Sequence, residues 1–400
     1  MNFSFSQEQV QLKAMFGKFA DKELAPYAAE YDRKENPEKC IPWPIIKSAM
    51  GLGIGSAGVP EKFGGNELSN FEILTMMEEL ARGDSGFAYT ILSVITGAKL
   101  LATFGTEEQK ETWLRKIADV QAAPFLVGLA ISEPQSGCDN MSPDPNAGIL
   151  TTAELKGDQY IINGAKGFIT NAGIAGLYIV WARTDKTKGA PQGGHSAFLV
   201  PADTQGLNVG KIEDKMGNRL SQQGELLFDN CIVPKSSLLG AEGMGFPVIL
   251  KFVENRLPAV GAIGTGIAQS AFNVAYKYAK ERVQGGKQII QHQAIAHKLS
   301  NMLMMIEASR LLYQKAAANQ DMNAANILDT QMSKVIGSET AVMAANEAIQ
   351  ILGSYGYSKE YPAEKLLRDA KAFTICENGN EFIRNKIIER VQKMDEQNSK

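Results

Sequence analysis

The spacing of apolar residues changes twice along these 400 residues. Up to about residue 124 it is helical. Val10, Leu12, Phe16 and Phe19 recur at near-helical spacing behind Ser6, a good N-cap. Phe71–Ala81 and Gly86–Phe104 continue this way, and Thr106 opens a segment with Gln109 at the capping-box position. From Phe125 to Gly240 the period shortens. Phe125–Ile131, Tyr160–Asn163, Leu177–Ala182, Ala197–Val200 and Gly224–Phe228 read as short strands separated by Gly, Asn, Asp and Pro. From Met244 the pattern is helical again, over Phe246–Ala279, His292–Asn319 and Asn323–Leu352. The order predicts an α+β chain in three domains: helical over 1–124, β over 125–240 and helical over 241–400. The chain is also too long for one core.

Charge removes several function classes. There are 41 basic and 44 acidic residues, a net charge of −3, which argues against a nucleic-acid or anionic-membrane surface. No apolar run approaches 18 residues, so no membrane insertion is expected. The N-terminus is amphipathic and acidic, without a signal or transit pattern, and the expected location is cytoplasmic. Cys40, Cys138, Cys231 and Cys376 form no CxxC pair, which fits a reducing compartment. His292 and His297 are five apart, HExxH is absent and no metal site is expected. No GxSxG elbow exists. Gly53–Gly58 matches GxGxxG but lacks the flanking strand and helix, and reads as a turn-rich connection.

Chemistry concentrates in Ala348–Arg384. Gln350-Ile351-Leu352-Gly353 ends a helix on glycine, and Gly353 and Gly356 allow a tight turn and close approach to a ligand. Pro362 opens a short helix with Leu366 and Leu367 as its apolar stripe. Then comes Ile375-Cys376-Glu377-Asn378-Gly379, a carboxylate on a turn before an amphipathic helix through Phe382, Ile383 and Ile387. The apolar Ile375 and Cys376 predict partial burial of this turn, which suits Glu377 to general-base work. Elsewhere, Ile131-Ser132-Glu133-Pro134 with Gln135–Asp139 is a polar loop after a strand. Asn163-Gly164 is a hairpin signal, and Arg282 after a helix suits a phosphate or a helix C-terminus.

Taken in order, these segments resemble the acyl-CoA dehydrogenase family. Ala130–Asp139 is similar to its A-[ML]-T-E-P-x-x-G-S-D, and Asn163–Asn171 to N-G-x-K-x-[WF]-I-T-N. Lys215–Ser221 resembles K-[ML]-G-x-R-x-S, and Val233–Phe246 resembles V-P…L-G-x-E-G-x-G-F. Arg282–Gln293 resembles R-x-x-F-G-K…x-H-Q, and Gln350–Gly379 carries Q-I-L-G, E-Y-P, K-L-x-R-D-A-K and the I-Y-E-G-T turn.

The resemblance implies a β-barrel or sandwich between helices and a C-terminal four-helix bundle. It implies FAD, held through Ile131, Ser132, Phe168, Thr170, Arg282, Gln293, Gln350, Gly353 and Gly379, with Arg282 and the Gln350–Gly353 turn reaching a neighbouring subunit's flavin in a homotetramer. Glu377 would be the base in α,β-dehydrogenation of an acyl thioester, with Cys138, Phe252, Arg256 and Cys376 at the substrate. The thioester oxygen would be polarised by the backbone N–H of the base and a ribityl hydroxyl. An electron-transfer flavoprotein, or oxygen, would take the electrons. The alternatives are an acyl carrier protein substrate, or a relative without dehydrogenase activity, monooxygenase-like or ligand-binding.

Several positions depart from the family pattern. Cys138 replaces a serine, Gly285 a phenylalanine, and Asn378-Gly379 stands for Gly-Thr. The loop 140–150 is longer than usual and is expected to reshape the substrate entrance. Counted without gaps, Leu257 replaces an arginine, and Arg256 falls where isovaleryl and long-chain members carry an alternative base. Glu254 is two places from that position. A buried Arg256 needs a partner: Glu377, Glu254, or an anionic or polar group on the substrate.

Overall fold

Side-chain caps set the helix starts. In the computed structural model, which describes residues 6–398, Ser6 and Gln9 form a reciprocal capping box that starts α1 (Gln7–Phe19). The chain continues through α2 (Ala25–Asp32) and α3 (Trp43–Gly51). Ser69 and Glu72 cap α4 (Asn70–Gly83), Asp84 caps α5 (Ser85–Phe104), and Thr106 with Gln109 caps α6 (Glu107–Ala118). The Gly53–Gly58 segment is a series of turns after α3, as expected.

α5 corrects one expectation. Its 20 residues are long and apolar enough to cross a membrane, with a mean hydropathy of 1.5. The stretch is nevertheless 78% buried inside the protein, packed on α4, α6, α7 (Gly245–Glu281) and the first strand.

The strands are β1 (Val127–Ala130), β2 (Thr152–Lys156), β3 (Gln159–Thr170), β4 (Leu177–Arg183), β5 (His195–Pro201), β6 (Leu207–Ile212) and β7 (Gln223–Pro234). They form one curled sheet in the order β1-β4-β2-β3-β7-β6, with β5 paired to β4. β1 runs parallel to β4, and the β2–β3, β3–β7, β4–β5 and β6–β7 pairs are antiparallel. Strand β4 is buried on both faces, so it reads as a continuous apolar run.

The Asn163-Gly164 hairpin is not formed. These residues lie inside β3, where a bulge against β7 absorbs them. Gly164 has φ +145°, and a Cβ there would sit 2.6 Å from Thr151 Oγ1. The β2–β3 turn falls earlier, at Gly157 (φ +63°).

After α7 a two-strand ribbon, β8 (Val283–Gln284) and β9 (Lys287–Gln288), turns on Gly285 and Gly286 at φ +58° and +77°. Both central residues need positive φ, so an aromatic at 285 would be strained. α8 (Gln293–Asp321), α9 (Ile327–Leu352), α10 (Ala363–Phe373) and α11 (Asn380–Asn398) complete the chain. α7 and α9 cross closely: a Cβ on Gly261 would meet Ser333 Oγ at 2.4 Å. Gly353 ends α9 at φ +63°, and Pro362 precedes α10.

One buried network ties the helical and β units together. Lys365 Nζ donates to Asp84 (2.6 Å) and Asp369 (2.5 Å). Asp369 accepts from the Asn218 amide, and Asn218 Oδ1 accepts from Ser85 Oγ, both at 2.6 Å. These contacts fix α5, α10 and the 215–221 loop against one another, beneath the site.

Candidate active site

A cavity of about 790 Å³ lies where α5, the end of β1, β3, α7 and the turn after α10 meet. That size suits a small-molecule ligand. Ile131, Ser132, Cys138, Phe168, Thr170, Phe252, Arg256, Cys376 and Glu377 all line it. The sequence segments that carry these nine residues are distant in the chain and converge only here.

Glu377 sits in a turn that two left-handed residues create, Glu377 at φ +51° and Asn378 at +69°. Few non-glycine residues adopt this conformation, and asparagine is among the commonest. The buried Lys334 of α9 holds the turn, donating to Asn378 O at 2.8 Å and Asn380 Oδ1 at 2.6 Å. The turn is partly buried at 376–379, as expected, although Ile375 itself is 62% exposed. The Glu377 carboxylate, 8% exposed, is enclosed by two residues from elsewhere. Tyr89 Oη of α5 and Arg256 Nε of α7 both donate to Glu377 Oε1 at 2.6 Å.

Arg256 is itself buried. Its guanidinium carbon lies 4.7 Å from the Tyr89 ring centroid and 5.3 Å from that of Phe252, an aromatic clamp for a cation. Pro258, inside α7, cannot bond back to Glu254 O, and Gln320 Nε2 fills that acceptor at 2.7 Å. The helix therefore runs through this point and carries Arg256 inward. Burial opposes the Arg256 charge, but Glu377, Tyr89 and Cys376 together outweigh it and the net shift is upward. Burial keeps the Tyr89 phenol well above its usual range, so it remains a donor. The Cys376 thiol is pushed up to about 11, again mainly by burial. Glu254 is not on the cavity wall; it pairs with Lys251 at 2.8 Å.

On the same cavity wall, Phe168 stands at φ +56°, beside the shift in β3–β7 register, with 65% of its surface exposed. An exposed aromatic in a left-handed conformation is unusual, and here it offers a flat face on the cavity wall. Ser132 O accepts from the Gly167 amide at 3.0 Å, which sets β1's end against it. Thr170 Oγ1, bonded to Gln223 Nε2 at 3.2 Å, lies two residues further on. An apolar platform flanked by hydroxyl and amide groups fits a planar heteroaromatic ring.

The loop above Ser132 rests on a buried ion pair. Lys166 Nζ meets Glu133 Oε1 at 2.8 Å with side chains 0% and 1% exposed. Glu133 also accepts from the Leu150 and Thr151 amides at 2.7 and 2.9 Å. Arg183 donates to the carbonyls of Ile149 and Ala147, each at 2.9 Å, and of Pro145. The long segment 140–150 is thus fastened at both ends, with Cys138 and Asn140 on the cavity wall.

Arg282, Gln293, Gln350 and Gly353 lie elsewhere, at the far end of the helices, and all four are exposed. Tyr278 of α7 packs on Tyr355, just after Gly353, at 6.4 Å, so Arg282 and Gly353 share one end. Arg256 and Arg282 stand roughly 39 Å apart along α7 at about 1.5 Å per residue. Gly379 lies behind Asn378 and off the wall. Sequence reasoning missed Tyr89 and Lys334. A tyrosine inside the apolar α5 carries no local signal of a partner 288 residues away.

The chain matches three family descriptions: Acyl-CoA dehydrogenase, N-terminal domain over residues 6–121, middle domain over 128–231 and C-terminal domain over 243–392. An acyl-CoA dehydrogenase of Bacillus subtilis (strain 168) is 40% identical over 95% of this chain and 96% of its own. The butyryl-CoA dehydrogenase structure from Megasphaera elsdenii superposes with a TM-score of 0.91 at 36% identity, covering 98% of this chain and all of that one. A chain in the structure of the electron transferring flavoprotein of Acidaminococcus fermentans gives 0.91 and 36%, covering 98% and 99%. The structure of PigA with FAD and proline gives 0.88 and 27%, covering 98% and 99%. By full-length similarity in sequence and in fold, the chain belongs to the acyl-CoA dehydrogenase family.

Proposed function

We propose that this protein desaturates an acyl-CoA thioester between its α and β carbons, with Glu377 as the base. The observation that carries this reading is the Glu377 carboxylate, fixed by Tyr89 and Arg256, on the wall of the cavity that Phe168 faces. The neighbouring structure with FAD supports that cofactor, and Phe168, Thr170, Ser132 and Ile131 are the residues that would hold its ring. FAD, when bound, supplies the acceptor for the β-hydride. The chain does the rest. Glu377 takes the α-proton, and Tyr89 and the turn at 377–378 hold its carboxylate in place. The Glu377 backbone N–H is the proposed donor to the thioester oxygen, a contribution of roughly 3–4 kcal/mol. Cys138 and Phe252 border the acyl group. The expected result is a yellow protein whose flavin is bleached anaerobically by an acyl-CoA. Protein without flavin after reconstitution, or flavin bleached by no acyl-CoA, would overturn this reading.

Arg282, Gln293, Gln350 and Gly353 serve the same cofactor in this proposal, but from another subunit. Roughly 39 Å along α7 separates Arg256, on the cavity wall, from Arg282 within one chain, too far for one flavin ring to touch both ends. The proposed assembly is a homotetramer built as a dimer of dimers, reoxidised by an electron-transfer flavoprotein like the one named for a structural neighbour. Light scattering of the flavin-loaded enzyme is expected to give four chains; a fully active monomer would contradict it.

A further inference from the structure

Arg256 is the least explained residue on the cavity wall. It is 2% exposed, its Nε is bound to the proposed base, and its Nη1 is buried without a hydrogen-bond partner. A guanidinium carries five N–H donors in a rigid fork, and the ring faces of Tyr89 and Phe252 offer it no lone pair. Among the described residues, the carboxylates on the cavity wall are Glu377 and Glu133, and Glu133 is already paired with Lys166. Among the described residues, Nη1 of Arg256 therefore has no acceptor.

Charge balance shows what acceptor it needs. At rest, Arg256 and Glu377 form a neutral pair. When Glu377 accepts the α-proton it becomes neutral, its negative charge moves to the thioester oxygen and on to the hydride acceptor, and Arg256 loses the carboxylate that was in direct contact with it in an apolar wall, which is unfavourable. A plain acyl chain carries no negative charge fixed beside the guanidinium. A carboxylate on the substrate supplies one: it pairs with the guanidinium, and that pair survives the proton transfer. The benefit appears as the proton moves, so it acts on turnover as well as on binding.

We propose that Arg256 reads a carboxylate at the far end of a short acyl group, making the preferred substrate a thioester of a dicarboxylic acid. The inference rests on the dehydrogenase reading above and names its substrate class. Arg256 touches the base itself, so the carboxylate must lie within a few bonds of the α-carbon. A charge-assisted bond of about 2.7–2.9 Å to Nη1 confines the acyl group to about four or five carbons. A cationic substituent would be repelled.

The test compares succinyl-CoA with butanoyl-CoA, and glutaryl-CoA with pentanoyl-CoA, using a dye acceptor and the FAD-loaded enzyme. Wild type is expected to favour the carboxylated member of each pair by at least about tenfold in kcat/KM. Arg256→Met is expected to lose about 100-fold on the carboxylated thioesters, in kcat as well as KM, and to gain on the straight chains, because Glu377 no longer neutralises a cation. Arg256→Lys keeps the charge and is expected to retain part of the preference, which a purely structural role would not produce. A wild type that prefers the straight chains, or a Met variant that falls equally on both sets, overturns the inference. Flavin bleached only by long-chain acyl-CoA also overturns it while leaving the dehydrogenase reading intact. Flavin bleached by no acyl-CoA overturns both.

Discussion

Glu377→Gln is expected to lower desaturation about a thousandfold or more, toward the upper range for loss of a general base. Glutamine keeps the size of the side chain and can still accept from Tyr89, so the cavity is retained. It cannot take the α-proton. It also removes the charge that matches Arg256, whose side chain is only 3% exposed. Leaving that cation alone costs about 3 kcal/mol or more of stability. Turnover and unfolding midpoint should therefore fall together. A double change, Glu377→Gln with Arg256→Met, should recover stability without recovering turnover. Activity that survives Glu377→Gln but is abolished by Glu254→Gln would assign the base elsewhere.

Lys166→Met should have the second largest effect, and it acts on the fold. Burial pushes Lys166 down to about 8, while it opposes the Glu133 charge but is outweighed by Lys166 and the bonded amides, which hold Glu133 below its usual range. Both groups are thus charged at neutral pH. Methionine fills the volume of lysine but leaves the Glu133 carboxylate buried and uncompensated, at an expected loss of about 3–5 kcal/mol. Chemical denaturation measures it. The decisive comparison is Lys166→Met with Glu133→Gln added. Removing the second charge should restore much of the loss. A double variant no more stable than Lys166→Met would show that packing, and not the buried charge, dominates here.

Much of this architecture was legible before any coordinates, and the gaps have physical causes. Long periodic segments announce themselves: α7, α8 and α9 follow the helical apolar pattern, and Ser6, Thr106, Gly353 and Pro362 mark ends by local chemistry. β2 and β6 gave no such signal, because most of their residues are exposed or half-exposed and supply no alternation. Asn163-Gly164 misled because the same freedom that makes a hairpin turn also makes a bulge. In the site, the carboxylate at 377 was visible through its neighbours in sequence. Its enclosure was not, because Tyr89 and Arg256 arrive from 288 and 121 residues away. The need of Arg256 for a partner followed from charge alone; only the fold selects Glu377 and leaves Nη1 open.

Arg183 has a further consequence. Surface loops of this length ordinarily open and close on their own, because few bonds oppose it. Here three carbonyls of the 145–149 segment are gathered by the one buried Arg183 side chain, and Asp139 accepts from the Gly137 and Gly148 amides at 3.0 and 3.2 Å. The Ala190 amide donates to Ser142 O at 2.9 Å, binding the segment's start to the connection before β5. The perimeter of the cavity on this side is a fixed gauge and not a gate. On the proposed reading, acyl groups would be sorted first by whether their girth passes this aperture, and only afterwards by the charges inside.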